Sequence, residues 1–119
     1  MAKVVLLIED DPDTRDILTI GLRAQRCDVM EAENRDAALA LIKARGVPDV
    51  IIMDYMMHGM SAEEFIQELT AITSALPRVI LMTAANQADD RAKALGIPEV
   101  LRKPFSPLDV FAQIEPCVA

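Results

Sequence analysis

The chain has 119 residues, enough for one domain of ordinary size and too few for two. Hydrophobic residues make up 52% of it but aromatics only 3%, so the core is aliphatic and stacking platforms for nucleic-acid bases are essentially missing. A formal net charge of −7 argues further against affinity for a polyanion, and no direct nucleic acid binding is expected.

The first predicted strand is Val4–Ile8, an aliphatic run that ends in Glu9-Asp10-Asp11. It is too short for a signal-peptide core or a bilayer span, so a soluble, cytoplasmic protein without membrane insertion is expected. Asp11 followed by Pro12 predicts a capped helix running to about Gln25, with Ile17, Leu18, Ile20 and Leu22 as its apolar stripe. That stripe reads either as core packing or, near Ile17, as a docking face for a kinase. Strand 2 is expected at Val29–Ala32. Asn34 then caps a helix over Arg35–Arg45, with Ala38, Leu41 and Ile42 on one face and Gly46 as its stop.

Val50–Met53 is the third predicted strand, and Asp54 follows it. Ser61, with Glu64 three positions on, marks a capping box that opens a third helix with Phe65, Ile66 and Leu69 inward. Val79–Met82 and Val100–Leu101 complete the strands. A fourth helix is predicted around 87–95, ending at Gly96. A fifth begins near Ser106-Pro107 and carries Val110, Phe111 and Ile114. Cys27 and Cys117 form no CxxC pattern and read as reduced thiols.

A strand followed by a helix, five times over, implies an α/β fold: a doubly wound, parallel five-stranded sheet with right-handed crossovers and helices on both faces. Ligands of such sheets bind outside the carboxyl ends of the strands. Strand 1 brings Glu9 and Asp10 to that edge, strand 3 brings Asp54, strand 4 Thr83, and Lys103 follows strand 5. Taken singly, each has a plainer role. Glu9 and Asp10 are solvated residues leaving a strand, Asp54 is a cap or turn residue, and Lys103 is a surface lysine. Their joint placement on four strand ends is what points to a site.

Three converging carboxylates repel one another unless a cation compensates them. Hard oxygen donors suit Mg²⁺, with Mn²⁺ as the alternative ion. A divalent ion together with Lys103 would neutralise Glu9, Asp10 and Asp54. The pair would also stabilise the charge of roughly −1.5 to −2 that a phosphoryl group adds at neutral pH. The hydroxyl of Thr83 is suited to donate to a phosphoryl oxygen. Met53, Met56, Met57 and Met60 read as core and loop filler rather than as a copper site.

The segments LLIEDDPDTR, PDVIIMDY, VILMTAAN and LRKPF, in this order across the whole chain, resemble the receiver domains of two-component response regulators. The resemblance implies a single receiver domain over residues 1–119, of flavodoxin-like (βα)5 fold with strand order 2-1-3-4-5. It implies Asp54 as phosphoacceptor, and Glu9, Asp10, Asp54 and the backbone carbonyl of Met56 as metal ligands. Thr83 and Lys103 would be the switch hydroxyl and the phosphate-pairing lysine, with a cis bond before Pro104. Asp11 is read as a helix cap rather than a further ligand. Implied partners are a sensor histidine kinase or a histidine phosphotransfer protein, and a downstream target protein. No turnover of external substrates is implied, only catalysis of the domain's own phosphotransfer and autodephosphorylation.

Four departures from the family pattern stand out. His58 occupies a position that is often proline, in Met57-His58-Gly59-Met60-Ser61-Ala62. It reads as an exposed loop residue, with a metal-ligand or pH-sensing role as the alternative. Val100 stands where an aromatic switch residue is usual. The stretch from Thr83 to Gly96 is about two residues shorter than is common. No output domain follows the fifth helix before Ala119, which leaves a single-domain regulator and an excised receiver both open.

The competing readings are a phosphorylation-independent receiver-like interaction module and, at a distance, a metal-dependent phosphohydrolase. Met56 occupies the position where the latter class usually has a second acid. Met56 and Ala85 offer no group to orient water, so slow autodephosphorylation is expected.

Overall fold

In a computed structural model, residues 3–54, 61–83 and 99–102 are described. They form a five-stranded, wholly parallel sheet with three helices, in the order β1 (Val4–Ile8), α1 (Pro12–Ala24), β2 (Asp28–Ala32), α2 (Arg35–Arg45), β3 (Val50–Asp54), α3 (Ala62–Ile72), β4 (Arg78–Thr83) and β5 (Glu99–Arg102). The strand order is β2-β1-β3-β4-β5, so β2 and β5 are the edges and the order reverses between β1 and β3. The predicted fourth and fifth helices lie outside the described residues.

Strand alternation splits the core in two. Leu6, Ile8, Ile51, Met53, Val79 and Leu81 point to one face and pack with α2 and α3. Val5, Leu7, Val50, Ile52, Ile80 and Met82 point to the other, where Leu18 and Leu22 of α1 cover them. Residues of β1 and β3 are buried on both faces, which is why these strands read as continuous aliphatic runs rather than alternating ones. At the amino edge Asp49 ties three strands together. Its carboxylate accepts from Val4 N at 2.8 Å, its N–H donates to Val4 O, and its carbonyl accepts from Arg78 N.

The helix starts follow their capping residues. Asp11 accepts from Thr14 N, Asn34 from Ala37 N at 2.7 Å, and Ser61 from Glu64 N at 3.1 Å, each satisfying an orphan amide of the first turn. Helix α2 stops at Gly46, whose φ of +98° lies where a side chain is strained. Helix α1 ends differently. Arg26 takes the left-handed conformation (φ +66°), while Cys27 N donates to Leu22 O and Arg26 N to Arg23 O. This is a Schellman closure built without glycine, with Cys27 and Leu22 sharing the same apolar cluster.

One expectation needs correction. The four apolar residues of α1 do not form a stripe: Leu18 and Leu22 are buried, but Ile17 is 55% and Ile20 70% exposed. At about 100° per residue, Leu18 and Leu22 lie almost in line, Ile17 is a quarter turn away and Ile20 lies opposite. Thr19, at 3% exposure, takes the inward position beside them. The core-packing reading of Ile17 therefore fails. On α2 the inward set is Ala38, Leu39 and Ile42, with Leu41 only partly buried.

Candidate functional site

The site sits at the carboxyl edge, where β1 and β3 run side by side at the reversal of strand order. In β1, Val5 and Leu7 face α1, and continuing that alternation carries Glu9 to the same side. In β3, Val50 and Ile52 face α1, and Asp54 continues them. Register aligns Ile8 with Met53, which brings Glu9 and Asp54 level at the rim. Asp54 is the last residue of β3 and pairs in register with Met82, so the strand runs one residue further than the aliphatic pattern alone predicts.

Oxygens from Glu9, Asp10 and Asp54 all lie within 4.8 Å of one another. Glu9 is 1% exposed and Asp54 5%, whereas Asp10 faces solvent. Carboxylates at that spacing, two of them out of water, repel one another, and positive charge close by would offset that repulsion. The donor set fits a hard divalent cation: it is all oxygen, and Asp10 is exposed to solvent. Asp11 stands apart from the cluster. Its carboxylate accepts from Thr14 N and Thr14 Oγ1, while its own N–H donates to Glu9 Oε1 at 3.2 Å.

Two arginines brace the backbone of this rim, and both escaped sequence reasoning. Arg15, one turn into α1, donates to Glu9 O at 2.8 Å. It also lies 3.7 Å from the Glu31 carboxylate of β2, which accepts from Thr19 Oγ1 at 3.0 Å. Arg35, the first residue of α2, is 1% exposed and donates from a terminal guanidinium nitrogen to Asp54 O at 2.6 Å. A signal existed for Arg35: a cation in the first turn opposes the helix dipole, so a local cost there calls for a tertiary partner.

Thr83 ends β4, one residue beyond the partner of Asp54, and is in register with Arg102, the last residue of β5. Val100 lies within β5. Met56, His58, Ala85, Lys103 and Pro104 fall outside the described residues.

The fold and the acid cluster together have a family. Residues 5–115 match the response regulator receiver domain, and the chain belongs to that family of two-component signalling domains. It is 32% identical over 119 residues to the phosphate regulon transcriptional regulatory protein PhoB of Escherichia coli K12, covering 97% of this chain and 51% of that protein. An uncharacterized 14.6 kDa protein of Leptolyngbya boryana is 33% identical over 93% of this chain and 86% of its own length. Among solved structures, the chemotaxis response regulator CheY4 of Vibrio cholerae superposes with a TM-score of 0.85, covering 99% of this chain and 100% of that one at 24% identity. That likeness establishes the flavodoxin-like receiver fold. The chain spans about half the length of the PhoB relatives it matches. Among the described residues, no helix is long and apolar enough to cross a membrane.

Proposed function

We propose that this receiver domain, read as one unit over residues 1–119, is a phosphorylation-dependent switch whose acceptor is the carboxylate of Asp54. The observation that carries this reading is the meeting of three carboxylates, two of them buried, at the rim of a receiver fold. The phosphoryl donor is a phosphohistidine on a sensor kinase or a phosphotransfer protein. An Asp54 oxygen attacks phosphorus in line, the P–N bond breaks, and the histidine nitrogen recovers its proton from solvent.

Glu9, Asp10, Asp54 and the Met56 carbonyl would hold Mg²⁺, which when bound supplies positive charge for the transferring oxygens. Lys103 is assigned to pair with the phosphoryl group and Thr83 to donate its hydroxyl to it. Downstream, the phosphorylated domain acts on a target protein or on an output domain, in a cytoplasmic setting.

Intact-mass measurement tests the reading directly. Incubation with acetyl phosphate and Mg²⁺ should add one phosphoryl group to the wild type, and none with EDTA or in Asp54→Asn. A wild type that stays unmodified with acetyl phosphate and with phosphorylated kinases overturns it. Val100, within β5 where an aromatic residue is usual, favours a second reading as a phosphorylation-independent interaction module. Equal partner affinity for wild type and Asp54→Asn would select that module instead.

A further inference from the structure

We propose that Arg35 is a positioning residue for the acceptor, holding the Asp54 main chain from behind while placing a permanent positive charge next to the acid cluster. The inference rests on Asp54 being the phosphoacceptor.

The position of Arg35 is costly from three directions. Its side chain is 1% exposed, and burial of a guanidinium is tolerated only where it is paired and hydrogen-bonded. It is the first residue of α2, after the Asn34 cap, where the helix dipole disfavours a cation. It also gives up the many rotamers of a long, flexible side chain. An apolar residue would cover the same ground without these costs.

What the arginine makes is a bond across 19 residues of sequence, from its guanidinium to the carbonyl oxygen of Asp54. Helix α2 lies on the sheet face that carries Met53, whereas the Asp54 side chain continues the opposite face with Val50 and Ile52. Arg35 therefore fixes the peptide that follows the acceptor carboxylate without approaching the cluster from the α1 side. Two consequences separate cleanly. A fixed peptide holds the carboxylate in line for attack, which raises the phosphorylation rate. A permanent charge close to the cluster weakens its hold on a divalent cation. A residue that served stability alone would do neither selectively.

The test compares wild type, Arg35→Met and Arg35→Lys as full chains, with two readouts: Mg²⁺ affinity by calorimetry and phosphorylation rate with acetyl phosphate at saturating Mg²⁺. Arg35→Met should phosphorylate about tenfold more slowly yet bind Mg²⁺ about two- to fivefold more tightly. Arg35→Lys keeps the charge and loses the planar fork, so its Mg²⁺ affinity should stay within about twofold of wild type while its rate falls about fivefold. A wild-type rate in Arg35→Lys, or rate and Mg²⁺ affinity falling together in either variant, overturns the proposal. Should Arg35→Met not fold, Arg35→Lys decides by the same criteria. Should the wild type take up no phosphate, the acceptor reading fails by itself. Weaker Mg²⁺ binding by folded Arg35→Met would then count separately against the charge assigned to Arg35.

Discussion

Glu9 and Glu31 belong to neighbouring strand ends, yet their surroundings differ in kind. Glu31 lies on the edge strand β2 and is exposed, with Thr19 Oγ1 and the Arg15 guanidinium to neutralise and orient it. Glu9 follows the interior strand β1, is buried, and meets two further carboxylates. The same functional group therefore meets a hydroxyl and a guanidinium at the edge and two further carboxylates at the centre. Position in the sheet decides this, because an edge carboxylate can use solvent and the flanking helix whereas a central one has strands on both sides.

The largest effect expected from that contrast is on phosphorylation. Asp54→Asn should abolish uptake of phosphate from acetyl phosphate, while Glu31→Gln leaves the rate within about twofold. Comparable losses in both variants would break the distinction between centre and edge.

Next in size is the response to metal. Mg²⁺ at a hundredfold excess over its dissociation constant should add about 2.7 kcal/mol to the stability of the wild type and of Glu31→Gln, measured by thermal unfolding. The Asp10→Asn, Asp54→Asn double variant should lose most of that gain.

Without metal the two sites should respond with opposite signs. Asp54→Asn relieves like-charge repulsion and should raise stability by about 1 kcal/mol. Glu31→Gln gives up one charge-assisted bond and should lower it by about 0.5–1 kcal/mol. Denaturant titration in EDTA reads both, and a loss of stability in Asp54→Asn would show that the cluster is already fully compensated.

The smallest effect is at the other end of the edge strand. Burial raises the Cys27 thiol above its ordinary value of 9.0, so the folded state retains a proton that the unfolded state releases. The stabilisation from the neutral thiol is complete below pH 9.0 and is lost as pH rises towards the folded value. Alkylation of Cys27 at pH 8 should accordingly be slow in the native protein and fast in denaturant.

Much of this arrangement is legible in the sequence, for definite reasons. The caps at Asp11, Asn34 and Ser61 act over three residues, so local pattern suffices to place the starts of α1, α2 and α3. The strands β1 and β3 are buried on both faces and therefore announce themselves as aliphatic runs, and the acids that follow them are read off directly. The rest depends on contacts distant in sequence or on geometry that residue type does not encode. Ile17 and Ile20 are as apolar as Leu18, and only the helical angle turns them outward. Arg26 adopts a conformation usually left to glycine, which hid the closure of α1. Arg35 is buried because of a carbonyl on β3, and nothing beside it in the sequence names that partner.

The parallel sheet also has a consequence for the order of assembly. Glu9 and Asp54 are level only after β1 and β3 have paired, and a parallel pair must first close a long loop. The unfolded chain therefore keeps these charges far apart, and their repulsion is met only on the way into the compact state. A divalent ion held at the assembled site would therefore act on the compact state and leave the random coil untouched.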